Sequence, residues 1–413
     1  MEGTLLLTGM SFLWEQYRNR GRELCSAAKS FRPMYASFLM LILYMVWEGA
    51  SLAKGFRLGY FWEKNRVVLP MAVFAMMGLV YIKASPQKRL RTLLLSLTGA
   101  GLISAGEAIL RAVLWEGRFS FYARRLSLRL DYNMFSQVVL MGLAAGLLLF
   151  ENICRKKIFL CLLCAPVIAL SSSRRNTVFM TALLAGQVGM ELWQEKTHRK
   201  KLSCLGQWAA LAAGIVVICL TGQSLLNQRT DILLEQGERG ESFSAGAALE
   251  RYLPEQKESP SKRRAIWKAA AKSFSDADTL DQFFGQGFGS DLELYKNTSN
   301  QELLSLYDRE ALNHLSAHSF LLADLINTGI LGAGLGLLLW GLLGLKLLYC
   351  LFSRPVSEGM FLGFLYGTVF LCNLISNRWG FLYDKYFWMM LILLGSCRCQ
   401  SLDRCGIMGQ KET

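Results

Sequence analysis

The 413 residues contain only three histidines, and two of them, His314 and His318, stand four residues apart. Four residues is about one helical turn, so the spacing predicts two rings on one helix face. The pair lies where a long polar stretch meets a strongly apolar run. An imidazole at such a boundary can take a proton from a hydroxyl near neutral pH. A helix-capping or interfacial histidine is the competing reading, and the pair alone leaves both open. Asp324 follows inside the apolar run. A carboxylate at that depth is expected to face a bundle interior and to mark function. Glu107 and Arg111 are also four apart in an apolar stretch. They are either a structural salt bridge or a functional pair, and spacing does not choose.

Two arginine clusters could hold an anion. Ser171-Ser172-Ser173-Arg174-Arg175-Asn176 forms a short turn between apolar runs. One arginine there is as readily a snorkelling anchor. Two beside three serines suit phosphate better, because guanidinium offers bidentate donors. Lys262-Arg263-Arg264 precedes Trp267 by about one turn. Alone, that run reads as a solvated face; Trp267 would anchor the helix on a membrane surface or stack on a sugar ring. Gly285-Gln286-Gly287-Phe288-Gly289 follows no strand, which rejects a nucleotide fingerprint. A turn that lets two backbones approach closely is its expected use.

These residues need elements to position them, and composition says which. The chain is 53% hydrophobic and 18% charged, with a mean hydropathy of +0.29. The apolar content falls into runs long enough to cross a bilayer as helices. Spans are expected at 34–53, 67–82, 92–115, 134–151, 157–172, 174–193, 205–225, 318–345, 358–376 and 385–397. The expected class is all-α: a polytopic membrane bundle of about ten spans with one large, partly helical extracytoplasmic loop. Residues 1–32 form a cytoplasmic segment with an amphipathic helix over 11–31, 33–225 a seven-span region, and 226–317 the loop. Residues 318–397 carry three spans and 398–413 a cytoplasmic tail. Within the loop, 226–260 reads as irregular, 262–274 and 299–312 as helical. Glycines such as Gly332, Gly334 and Gly336 are expected to serve close helix packing.

Lys and Arg placement orients the chain. With the N-terminus inside, Arg18, Lys88, Arg155, Lys200 and Arg404 all fall on the cytoplasmic side, and the loop falls outside. None of the eleven cysteines is in that loop, so it is not a disulfide framework. The net charge of +14 fits this topology and anionic lipid. No nucleic-acid motif, Gly-Lys-Ser/Thr phosphate loop, zinc-type cysteine spacing or cleavable signal is visible.

Taken in order, these features resemble the O-antigen ligase and O-antigen polymerase family of integral membrane glycosyltransferases, in layout over nearly the whole chain. Ser171-Ser172-Ser173-Arg174 is similar to the family's Ser-x-Ser-Arg turn, and Arg263 with Trp267 to its Arg-x-x-x-Trp helix start. Phe284-Gly285-Gln286-Gly287-Phe288-Gly289 resembles its Phe-Gly-x-Gly-Phe-Gly turn. Ala317-His318-Ser319-Phe320-Leu321, then Asn327-Thr328-Gly329-Ile330-Leu331-Gly332, resembles its Ala-His-Asn-x-Leu and following glycine helix. Asp131-Tyr132-Asn133 is similar to its Asp-Pro-Asn. Ser319 replaces the usual Asn, Tyr132 the Pro, and Arg175 a small residue.

The resemblance implies transfer of a glycan from a polyprenyl pyrophosphate carrier to an acceptor hydroxyl, outside the cell membrane. His318 is then the expected base, and Arg174 and Arg263 the expected pyrophosphate ligands. Arg175, Arg264, His314 and Trp267 are further substrate contacts, with Asp324, Glu107 and Arg111 in support. The reaction is expected to invert the anomeric centre and to need neither metal nor cofactor. Expected partners are a polyprenyl pyrophosphate-linked oligosaccharide donor, a glycan acceptor, membrane lipids and other polysaccharide-assembly proteins, with no nucleic acid. Polymerisation of surface polysaccharide repeats, of O-antigen or capsule type, is preferred on family-level grounds. A ligase acting on a lipid or protein acceptor is the alternative. Rivals are a transporter of lipid-linked oligosaccharides and a peptidoglycan-type polymerase relying on a loop carboxylate.

Overall fold

A computed structural model describes residues 34–54, 58–84, 86–114, 126, 132–150, 155–195, 197–238, 260–313, 315–353, 356–376 and 380–396. Among these residues there are helices and no strand, as the all-α expectation requires. The membrane helices and their neighbours are α1 Tyr35–Ala50, α2 Leu58–Ala84, α3 Pro86–Leu114, α4 Tyr132–Leu149, α5 Arg155–Leu170, α6 Arg174–Gln194 and α7 His198–Glu238. The loop carries α8 Pro260–Ser275, α9 Thr279–Phe284, α10 Ser290–Lys296, α11 Gln301–Leu306 and α12 Arg309–Asn313. Three more follow: α13 Phe320–Ser353, α14 Val356–Ser376 and α15 Lys385–Ser396.

Among the described residues, six stretches are long and apolar enough to cross a membrane: Tyr35–Ala53, Arg91–Leu110, Tyr132–Leu149, His198–Gln228, Phe320–Phe352 and Val356–Ile375. Each coincides with an expected span. The other four expected spans are helical as well. Of these, α5 and α15 have only 16 and 12 residues, short of the roughly 20 that a hydrocarbon core needs. The other two, α2 and α6, are long enough: α2 carries its charges mainly before 67, at Glu63, Lys64 and Arg66, and α6 opens on Arg174 and Arg175 and also holds Gln187 and Glu191.

Two expectations are corrected. The start of the loop is not irregular, because α7 runs unbroken to Glu238. No Gly or Pro interrupts 223–236, and Leu225, Leu226, Ile232, Leu233 and Leu234 sustain the helix. Nor is the eighth span one continuous helix, for Gly329 sits inside α13 at φ 69°, ψ −170°. The amphipathic 11–31 segment, residues 239–259, Asp131, His314 and the 398–413 tail lie outside the described residues.

Contacts divide the chain into two compact units. The first comprises 1–86, 258–355 and 362–413. There α1 packs along α13, α2 against α15, and α8 and α9 against α13. Two of the expected packing glycines serve the α1–α13 contact: a side chain at Gly332 would meet Trp47, and one at Gly336 would meet Tyr44 and Asp324. Gly334 faces open space. The loop helices have a core of their own, built on Ile266, Tyr295, Leu303, Leu312 and Ala317. Each fully buried Leu or Ile there stabilises by about 1.5–3 kcal/mol relative to exposure.

The second unit comprises 87–257 and 356–361. Helices α4, α6 and α7 pack around α5. Its floor is a buried polar knot. Glu191 Oε1 accepts from Lys157 Nζ at 2.7 Å and from Gln187 Nε2 at 2.9 Å, and its Oε2 accepts from Trp208 Nε1 at 2.7 Å.

Candidate functional site

The expected helical face shared by His314 and His318 is not found. Residues 315–319 are not helical, and His318 is left-handed at φ 50°. The reason is tertiary. The Ala317 carbonyl, which a helix would need, accepts instead from Trp267 Nε1 at 3.0 Å. The following helix begins only at Phe320, where the Ser319 carbonyl takes the Ala323 N–H at 3.0 Å. A non-glycine residue held left-handed costs about 1–3 kcal/mol, and such strain gathers at functional sites. Ala317 and Ser319 are buried on either side, while His318 is half-exposed. His318 is therefore the partly accessible residue of a strap, 315–319, that is otherwise buried.

Trp267 thereby acquires a use that sequence did not suggest, as a donor that pins this strap to α8. The helix forms because Lys-Arg-Arg-Ala-Ile-Trp-Lys-Ala-Ala-Ala-Lys is rich in helix formers. Ala265, Ile266 and Ala269 face the loop core, leaving Arg264 and Lys268 exposed and Arg263 half-buried. Arg263 Nη1 lies 3.5 Å from the Ile375 carbonyl at the end of α14. Tyr295 donates to the Ile266 carbonyl at 3.2 Å. Burial, with Asp291 and Tyr307 nearby, holds its phenol well above the ordinary tyrosine range. It stays protonated at neutral pH and remains a donor to α8.

The glycine turn behaves as expected. Gly285, Gly287 and Gly289 have φ of 82°, 100° and 80°. The break at Gly329 removes intrahelical partners from the carbonyls before it, and the turn supplies new ones. Gln286 N–H donates to Ile326 O at 2.8 Å, and Gly287 N–H to Asn327 O at 3.1 Å. Asn327 and Asp291 bond reciprocally: the Asp291 N–H meets Asn327 Oδ1 at 3.0 Å, and Asn327 Nδ2 meets Asp291 Oδ1 at 2.8 Å.

Asp324 faces inward, as expected. It is buried, and Tyr44 Oη lies 3.0 and 2.9 Å from its two carboxylate oxygens. Tyr44, Glu48 and Lys64 are additions that sequence reasoning missed. Glu48 and Lys64 form a buried ion pair between α1 and α2. Removing one partner of such a pair costs about 3–5 kcal/mol. Glu48 inside the first apolar run was the available signal. Lys64 falls before the expected second span, which starts at 67, whereas α2 begins at Leu58.

In the second unit the serine turn is tied to the start of α4. Ser173 Oγ donates to Asn133 Oδ1 at 2.7 Å, and Asn176 Nδ2 to Asn133 O at 2.8 Å and Ser136 Oγ at 2.6 Å. Two motifs noted separately in the sequence are thus one hydrogen-bonded cluster. Ser171, Ser173 and Asn176 are buried, which leaves Arg174 exposed and Arg175 half-buried. Arg175 Nε lies 3.4 Å from Asn176 Oδ1. Glu107 is half-buried in α3; the Arg111 side chain lies outside the described residues. Arg263, Arg264, Trp267, His318 and Asp324 thus belong to the first unit, and Arg174, Arg175, Glu107 and Arg111 to the second. Among the described residues, no three His, Cys, Asp or Glu side chains gather closely enough to hold a metal ion. The chain matches no protein-family model and no curated protein.

Proposed function

We propose that this chain is a multi-pass glycosyltransferase of the cell membrane. It transfers a glycan from a polyprenyl pyrophosphate carrier to an acceptor sugar hydroxyl, at a site facing outward. The observation that carries this reading is the seat of His318. A left-handed histidine stands on a buried strap, joined through Trp267 to the helix that bears Arg263. One scaffold thereby holds a base and a cation, which attack on a pyrophosphate-activated sugar requires.

In the step, the acceptor oxygen bonds to the anomeric carbon as the bond from that carbon to the pyrophosphate oxygen breaks. The hydroxyl proton passes to the His318 imidazole. The departing pyrophosphate gains charge, and Arg263 stabilises it, with Arg264 behind it. Arg174, with Arg175, is proposed for the same role on the strength of its motif alone. His314 contacts substrate. Attack opposite the leaving group inverts the anomeric centre. The donor is already activated, so no nucleotide takes part.

Ten spans with the N-terminus inside are supported by which ends touch. Lys54, after span one, pairs with Asp281 at 2.6 Å, and Tyr60 donates to Glu293 at 2.8 Å. Arg263 reaches the end of span nine at Ile375. If each span crosses once, these points and the loop share a side, and positive-inside counting makes that side the outside.

Polymerisation of surface-polysaccharide repeats is the proposed form; a ligase would differ in its acceptor. A transporter of lipid-linked oligosaccharides is the second reading. It is favoured by the broken α13 beside buried Asp324, since discontinuous helices line transport sites. Purified protein given a lipid-pyrophosphate donor and a glycan acceptor tests the enzyme. His318→Ala should lower the rate about 10²–10⁴-fold at saturating donor, with donor still bound. A rate within a few-fold of the parent sinks the base assignment. Donor crossing vesicles without any product would favour the transporter.

A further inference from the structure

We infer that the elbow between α6 and α7 binds one anionic phospholipid. A cavity of about 460 Å³ opens there, walled by Leu192, Trp193, Leu202 and Leu205, with His198 and Lys201 at its polar edge. The sequence around it is Glu195-Lys196-Thr197-His198-Arg199-Lys200-Lys201, which is strongly basic. Glu195 is the acidic residue of that run. Glu191, one turn earlier, is buried, and its carboxylate is taken up by Lys157, Gln187 and Trp208. The elbow therefore presents net positive charge. The start of α7 adds to this, because a helix N-terminus favours an anion.

The apolar wall identifies what carries that anion. Leu202 and Leu205 are exposed, and the exposed apolar flank continues along α7 through Val216, Val217 and Leu220. That part of α7 is long and apolar enough to cross a membrane. Trp193 is 87% exposed at the other wall, where indoles settle at the boundary between acyl chain and headgroup. A phosphate at Lys201 and His198 with an acyl chain along Leu202 and Leu205 satisfies both halves of the site. Free phosphate would use only the cationic edge, and a zwitterionic lipid brings no net charge to match it. The site lies within the second unit, uses none of the proposed catalytic residues, and stands apart from the glycosyl-transfer reading.

Native mass spectrometry of the full-length protein in detergent, titrated with phosphatidylglycerol, tests this. The parent should retain one lipid. His198→Ala with Lys201→Ala should weaken binding about tenfold. Gly189→Phe offers a second route: a side chain there enters open space, so it fills the groove without disturbing the helix and should abolish retention. Lys272→Ala, an exposed lysine on α8, should bind like the parent. Millimolar inorganic phosphate should leave the lipid in place. Equal retention of phosphatidylcholine, displacement by inorganic phosphate, or parent-like affinity in both groove variants would each overturn the proposal.

Discussion

Arg174 is exposed at the start of α6, and Arg263 is half-buried near the start of α8. An arginine that only anchors a helix tolerates lysine, because an ammonium snorkels as well. One that grips a pyrophosphate does not, because lysine lacks the planar fork. We therefore expect Arg→Lys at either position to be nearly as harmful as Arg→Ala. Each loss should reach about 10²–10³-fold, the scale for removing a donor from developing charge. Polymer yield in cells at matched protein level measures this; near-full yield from both lysine variants would make them anchors. Residue type and spacing made these arginines, His318 and Asp324 legible. The conformation of His318 was not legible, because an i, i+4 pattern assumes the helix continues. Whether it does depends on Trp267, 50 positions away. The Glu48–Lys64 pair was hidden for a similar reason, since its partners sit on different helices and no spacing rule joins them.

Helix α13 is two helical pieces because the glycine turn and Gly329 fit one another. A side chain at Gly285 would overlap the Asn327 carbonyl, and one at Gly329 the Phe283 carbonyl. Both glycines also have positive φ, at 82° and 69°. Gly285→Ala and Gly329→Ala should each cost on the order of 1–3 kcal/mol from backbone strain alone. The double variant should lose less than the sum, because both substitutions damage one contact. Gly334→Ala, in open space on the same helix, should be neutral or slightly stabilising. Thermal unfolding in detergent measures all four, and a parent-like melting temperature for Gly329→Ala would mean that the break is dispensable. The turn was legible as a place of close backbone approach. The break was not: a membrane helix with Gly329, Gly332, Gly334 and Gly336 gives no local sign of which glycine interrupts it. The long α7 shows the converse, since the charge and polarity after 226 suggest a loop while the lack of Gly and Pro from 223 to 236 keeps a helix.

Sidedness is decided over the whole chain, and both units bear on it through contacts among their own helix ends. In the first, the loop helices touch the residues after span one and the end of span nine. In the second, Asn133, before span four, is bonded to Ser173, after span five. At the opposite ends of spans five to seven, Lys157, Glu191 and Trp208 meet. Every one of these contacts joins ends that alternate crossing puts on one side of the membrane. On the proposed topology, positive-inside counting would put the basic clusters at 155–157 and 196–201 inside and the loop outside. A cysteine placed at Ser259, within a loop that has none of its own, should react with a membrane-impermeant thiol reagent in intact cells. One placed at Ser203, exposed near the basic start of α7, should react only after lysis. The parent chain sets the background from native cysteines, of which Cys161, Cys164, Cys350 and Cys372 are buried. The opposite pattern would turn the protein over. His318 and Arg263 would then face the cytoplasm, and a reaction on glycans already carried across the membrane would be ruled out with the topology.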